Sequence, residues 1–289
     1  MKKINKDWKD SITNTMIDST IANYDDGELY IEKTVSENFL FDDNKIKNAS
    51  YDEDKGFGLR VISDDSIGFA HSSELTDDSI KKAVKAVSNL KNGKSFSFQL
   101  PKKTNTTLYS EKNPISLVKF KSKINLLEEI NKYARNLDSN VKQVSVTLAG
   151  NFQSIEIIKM GLNSYFDYRP LVRLNVNISV SKNDKIENGS FGFGGRHMYD
   201  SIFDENTWKN AVDCAYNQAL VKLDAVSAPA GEQTVILGTG WPGILLHEAI
   251  GHGLEGDFNR KKTSAFHDLM GQKVASEGVT IVDDGTIDK

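Results

Sequence analysis

Two of the chain's five histidines, His247 and His252, bracket a glutamate, Glu248, and a third, His267, follows within twenty residues. Imidazole is the commonest biological ligand for zinc, and a carboxylate beside it can take a proton from water activated by the metal. His247 and Glu248 therefore read as ligand and base. The familiar zinc-peptidase pattern sets its histidines four apart on a helix; here they are five apart. At about 100° per residue, five positions leave the side chains roughly 140° apart on an ideal helix. Gly251, with Gly253 and Gly256 beyond it, lets the helix end, loosen or take a one-residue bulge that swings His252 back. On spacing alone two other readings stay open. The histidines could be ordinary, one buried and hydrogen-bonded and the other near a helix C-terminus, where a cation is favoured. Alternatively Glu248 and His252, four apart and sharing a face, hold the metal, and Glu248 is then no free base. Glu255 and Asp257 follow closely, either as acceptors that orient an imidazole or as carboxylates in water.

These residues need a platform. Thr234–Leu237 reads as a short apolar strand, and Pro242 is placed for the first turn of the helix that carries the histidines. Upstream, residues 11–24 have a helical period with Ile12, Met16, Thr20 and Ile21 on one face. Short strands follow to His71, with turns at the Gly and Asp clusters, Asp52–Asp54 among them. A second helix starts at Thr76–Asp77, either of which can cap it. Residues 92–116 hold Pro101 and Pro114 and read as a linker or long loop. A helix over 117–137 and strands near 144–148, 154–158 and 172–180 come next, then a helix over 204–223. In the strand at 172–180, Val172, Leu174, Val176, Ile178 and Val180 alternate with polar residues, so one face is buried.

Strands in runs, rather than in strict alternation with helices, predict an α+β fold with antiparallel sheets and flanking helices. The order helix, strands, helix occurs twice, which leaves a duplicated unit open. The expected division is an N-terminal α+β domain over 1–100, a linker or long loop over 101–116, and a second α+β region over 117–289 carrying the histidine helix.

The chain has 36 Lys and Arg against 40 Asp and Glu, a net charge of −4, and gives no general electrostatic reason to seek nucleic acid. One cysteine cannot support a disulfide framework, the Met1 start lacks the apolar core of a signal peptide, and no run approaches the roughly 20 apolar residues that span a bilayer. A cytoplasmic protein without membrane association is expected. Cys214, on an amphipathic helix with Ala211, Ala215 and Leu220, reads as a small buried residue. The glycines of Gly192–Gly195 lack the lysine and serine of a phosphate loop and read as a loop or bulge.

The stretch His-Glu-Ala-Ile-Gly-His-Gly-Leu-Glu-Gly-Asp-Phe-Asn, residues 247–259, closely resembles the extended HExxxH signature of the TldD/PmbA metallopeptidases. Residues 26–50, 56–72, 168–174, 189–196, 263–266 and 271–276 are similar to segments of the same family in the same order. The resemblance implies a TldD-like subunit, the partner that carries the motif, paired with a TldE-like (PmbA) subunit or as a homodimer. It further implies a zinc ion held by His247, His252 and a cysteine of the C-terminal domain, Glu248 as general base, and unfolded or short peptides as substrates. Family members also carry the label of DNA gyrase modulator, an indirect association that adds no DNA site here. The family continues well over a hundred residues past the point matching Lys289, so the expectation is a truncated chain lacking that domain and its cysteine. The competing expectation is a catalytically silent binding or assembly subunit without the third ligand.

Overall fold

The computed structural model describes residues 11–64, 66–90 and 108–284, the side chains of residues 11 and 12 excepted. Residues 101–107 of the expected linker, with Pro101, lie outside the described residues. The described chain falls into two compact units that part between Ala225 and Val226.

In the first unit, helix α1 (Ser11–Ala22) precedes strands β1 (Asp26–Asp42), β2 (Lys45–Ser63) and β3 (Ser66–Ser72) and helix α2 (Asp77–Val87). After the short turn α3 (Pro114–Leu117), helix α4 (Phe120–Leu137) leads into β4 (Val141–Lys159), β5 (Asn163–Lys182) and β6 (Lys185–Gly195). The turn α5 (Asp200–Phe203) and helix α6 (Glu205–Leu223) close the unit. The six strands form one antiparallel sheet in the order β3-β2-β1-β4-β5-β6. This is the α+β architecture expected, and the repeated order has a geometric counterpart. Two three-stranded meanders meet through their first strands, β1 and β4, which run antiparallel from Leu29 opposite Ile158 to Asp42 opposite Ser145. Equivalent strands paired antiparallel are related by a local two-fold.

The strands are longer than the sequence suggests. Asp52–Asp54, read as a turn, lies inside β2 opposite Ser36, Val35 and Thr34. These aspartates are exposed, so they stay hydrated and the ladder loses nothing by containing them. Two of the hairpin turns are the two-residue loops Asp43–Asn44 and Asn183–Asp184, where all four residues have positive φ. Asp and Asn tolerate that conformation, and it matches the twist of a tight hairpin.

Helices cover one face of the sheet. Leu29 and Ile31 of β1, with Leu59 and Val61 of β2, pack against Ile17 and Ile21 of α1 and Ile80, Ala83 and Val87 of α2. Further along, Phe39 and Phe41 join Leu127, Ile130 and Ala134 of α4, Ala211 and Ala215 of α6, and the alternating valines, leucine and isoleucine of β5. On α1 the buried stripe is Thr13, Ile17, Thr20 and Ile21, with Ile17 fully enclosed and Met16 half-buried. Thr76 caps α2 in a reciprocal box with Ser79, which supplies partners for otherwise orphaned backbone donors. Gly192–Gly195 are part of β6, paired with Asn175 to Val172 of β5, and not a loop. Among the described residues no helix is long and apolar enough to cross a membrane.

Where the meanders meet, the core holds a charge pair. Lys123 of α4 and Glu37 of β1 are only 2% and 6% exposed. The Lys123 ammonium lies 2.6 Å from Glu37 Oε1 and 2.8 Å from Oε2, and donates to the Ile115 carbonyl at 3.0 Å. The Tyr199 hydroxyl donates to Glu37 Oε1 at 2.7 Å. Burial and the adjacent carboxylate both hold the Tyr199 phenol far above its ordinary pKa. Opposite Glu37 on β4 stands Gly150; a Cβ there would run into the Tyr199 hydroxyl.

Removing one partner of a buried pair strands the other charge, at a cost of about 3–5 kcal/mol. Lys123→Met should therefore destabilise the first unit by that order, and the double variant Lys123→Met with Glu37→Leu should recover much of the loss. Denaturant unfolding measures both; equal stability of Lys123→Met and the unaltered chain would contradict the assignment.

Candidate functional site

The second unit begins with residues 226–241, which form no helix or strand. The strand expected at Thr234–Leu237 is absent: Val235 and Ile236 are 72% and 92% exposed. An extended segment becomes a strand only when its backbone groups find a ladder partner, and none lies beside this one among the described residues.

Helix α7 (Pro242–Leu246) opens with the proline in its first turn, as expected. The helix then changes pitch. Over His247–Gly251 it widens to a π turn, and the His252 N–H donates to the His247 carbonyl, five residues back instead of four. It tightens again over His252–Leu254 and leaves helical geometry at Glu255, where ψ is 132°. The wide turn absorbs the surplus residue, so His252 stands one turn above His247.

The two imidazole rings are 4.7 Å apart between centroids, with planes inclined at 69°. His252 Nε2 lies 3.4 Å from Glu248 Oε2. One ligand atom from each of His247, Glu248 and His252 lies within 4.8 Å of the others, and all three residues are exposed. That donor set, two imidazoles and a carboxylate, fits a borderline-soft divalent ion such as zinc. It supplies at most three of the four positions of a tetrahedral shell.

Glu255, on the exit from the helix, accepts a 2.6 Å hydrogen bond from His252 Nδ1. With the proton on Nδ1, the Nε2 lone pair is free for an ion. That hydrogen bond, aided by the charges of Glu248 and Glu255, raises the His252 pKa. Asp257 is turned elsewhere. On helix α8 (Gly256–Arg260) it pairs with Lys261 at 2.7 Å and Arg260 at 3.1 Å, which together hold its carboxyl below the usual range. Arg260 and Lys261, though exposed, are thus paired with Asp257. His267 is tied to the Ser264 carbonyl through Nδ1 at 2.6 Å. In the first unit His71 is the next-to-last residue of β3, beside the Phe69 ring, and Cys214 of α6 is half-buried with Sγ 4.0 Å from Asn210 Oδ1.

Two polar residues with no evident role in the sequence converge on the chain just past His252. Ser264 Oγ donates to the Gly253 carbonyl at 2.5 Å, and Asn259 Nδ2 donates to the same oxygen at 2.9 Å and to the Glu255 carbonyl at 2.9 Å. Their only sequence signal is position, in the tail of the histidine motif and in the similar segment 263–266.

The fold and the motif together define a metallopeptidase-like class, and the comparisons place the chain within it. It matches the family models described as PmbA/TldA metallopeptidase domain 1 over residues 27–90, central domain over 113–223, and C-terminal domain over 230–289. It is 38% identical over 271 residues to the metalloprotease TldD homolog of Buchnera aphidicola, covering 91% of this chain and 56% of that protein. Against the metalloprotease TldD homolog of Haemophilus influenzae the identity is 38% over 274 residues, covering 92% and 57%. The chain belongs to the TldD/PmbA family. It spans a little over half the length of these curated relatives. Among solved structures, TldE from Thermococcus kodakarensis superposes with a TM-score of 0.65 at 17% identity, over 90% of this chain and 58% of that one. A Bacteroides thetaiotaomicron protein, described as a candidate modulator of DNA gyrase, gives 0.70 at 13% identity, over 93% and 63%. At these identities the structures show a shared fold.

In the metal-free chain the His252 imidazole should titrate above the ordinary value of about 6.5. The stabilisation from its pairing with Glu255 is then full below that ordinary value and lost as pH rises through the raised one. An NMR titration of the imidazole checks this: Glu255→Gln should lower the midpoint, and an unchanged midpoint would refute the pairing.

Proposed function

We propose that this chain carries the metal-binding half of a cytoplasmic zinc peptidase subunit that hydrolyses peptide bonds in unfolded or short peptides. The observation that carries the proposal is the wide turn at His247–Gly251, which brings both imidazoles and the Glu248 carboxylate within 4.8 Å. The metalloprotease names of the relatives support the same reading. His247 and His252 would hold the ion, with Glu255 fixing the His252 ring, and a further ligand would come from the cysteine that the family resemblance implies. When bound, zinc supplies a Lewis acid for the scissile carbonyl and lowers the pKa of water.

Glu248 then has the proton work. Its carboxylate takes a proton from the attacking water and hands it to the leaving amine, which otherwise departs as an unstable anion. The carboxylate is exposed and can reach solvent and substrate. Assembly with a TldE-like subunit or with a second copy of the chain is part of the proposal; the fold shared with a TldE supports the first. The silent-subunit reading draws on one feature, that only three donor groups cluster in the described chain.

Glu248→Gln in the full-length, assembled protein separates the roles. Peptide cleavage should fall by at least about a hundredfold, the lower range for a general base, while zinc content measured by elemental analysis stays unchanged. Loss of zinc together with activity would make Glu248 a ligand instead. An unaltered protein that binds zinc yet cleaves no peptide would favour the silent subunit.

A second expectation concerns the ligands. His247→Ala and His252→Ala should each weaken zinc binding strongly, as measured by competition with a chelating dye, because one imidazole leaves too few protein donors. Unchanged affinity in either variant would exclude that residue from the site.

A further inference from the structure

Helices end with carbonyls that have no partner inside the helix, and this one ends immediately beyond His252, where the chain is exposed. Leu254 is 49% exposed, Phe258 is 45% exposed, and His252 and Glu255 are about half-exposed at their side chains. Little apolar packing is available to hold the upper imidazole in place. What holds it is polar. The Gly253 carbonyl accepts two hydrogen bonds, from Ser264 Oγ at 2.5 Å and from Asn259 Nδ2 at 2.9 Å. Asn259 Nδ2 also reaches the Glu255 carbonyl at 2.9 Å. Ser264 is in turn fixed, since its Oγ accepts from the Phe266 N–H at 3.0 Å and the residue is only 8% exposed, the buried polar residue of this unit.

The Phe266 ring adds a steric contact to the clamp. A Cβ on Gly253 would stand 2.6 Å from Cε2 and 2.7 Å from Cδ2 of that ring, closer than real side chains come, so the backbone beside His252 lies directly against the ring's edge. Gly253 and Glu255 flank the point at which the chain leaves the helix, and Glu255 carries the carboxylate that accepts from His252 Nδ1. The clamp therefore acts on the imidazole twice, through the backbone next to it and through the residue that sets its tautomer.

We propose that Ser264 and Asn259 are positioning residues of the metal centre: by holding the Gly253 and Glu255 carbonyls they fix the Glu255–His252 hydrogen bond and keep His252 Nε2 turned toward His247 and Glu248. The inference rests on the metal-binding role proposed for the histidines and assigns a role to Asn259, the last residue of the extended signature, and to Ser264, which lies beyond it. Neither residue belongs to the cluster of candidate donors, His247, Glu248 and His252. Both act through His252, as the outer hydrogen bonds of metal-ligating histidines generally do.

The variants are chosen to spare the fold. Asn259→Asp keeps the shape and removes both donated bonds; Ser264→Ala removes one, and Ser264→Thr restores the hydroxyl. In the metal-free chain, at a pH where the imidazole is neutral, nitrogen-correlated NMR should show His252 protonated at Nδ1 alone. Asn259→Asp and Ser264→Ala should give a mixture of the two tautomers, and Ser264→Thr should return the single form. Zinc affinity, by dye competition, should fall about 10–100-fold in the first two variants, the range seen for outer-shell partners, and recover in Ser264→Thr. Unchanged tautomer populations in Asn259→Asp and Ser264→Ala would overturn the inference, as would unchanged affinity with a zinc-binding parent. If the parent binds no zinc, the metal reading fails by itself, and the tautomer measurement still decides whether Ser264 and Asn259 position His252.

Discussion

The ladder between β1 and β4 is the interaction on which the first unit depends. Each meander alone is a three-stranded sheet with helices on one face, and one face of a sheet that size encloses a modest core. Pairing their first strands over Leu29–Asp42 and Ser145–Ile158 makes one sheet with a continuous buried face. The covering helices then bury apolar residues from both halves. The constraint also explains the placement of Glu37 and Lys123. Glu37 occupies a core-facing position of β1 opposite Gly150, so its carboxylate must be neutralised where it stands; Lys123 does so, and Tyr199 donates a hydrogen bond to it.

In the second unit the corresponding constraint is pitch. Histidines five apart face away from one another on an α-helix, and a single backbone hydrogen bond, from the His252 N–H to the His247 carbonyl, reverses that. Widening one turn displaces the following carbonyls, and the chain meets this with side-chain donors from Ser264 and Asn259. The wide turn and the candidate ligands thus occupy one short segment, His247–His252. The pattern is common for π turns, which cluster at functional sites because they aim side chains where a regular helix cannot.

Much of this was legible in the residues. The alternation through Val172–Val180 marked a one-sided strand, Thr76 marked a helix start, and the glycine before His252 marked the place where the helix had to change. Those features are local: each depends on neighbours within a few positions, and period, cap chemistry and backbone freedom are written in the sequence itself. The family resemblance added the metal reading, again from contiguous residues.

What the residues could not disclose was anything set by partners distant in the chain. Nothing near Glu37 announces that Lys123, 86 positions away, will neutralise it, or that Tyr199, 162 positions away, will donate to it. Ile17 rather than Met16 faces the core because the sheet, not the helix period, selects the buried stripe. Thr234–Leu237 has the composition of a strand but no ladder beside it, while Asp52–Asp54 has the composition of a turn and sits in a strand because β1 pairs with it throughout. Sequence determined the local conformational preferences and the chemical identity of the candidate ligands. Tertiary structure decided which backbone groups and charges found partners, because a hydrogen bond or a buried ion pair is settled by what is nearby in space and not by what is adjacent in the chain.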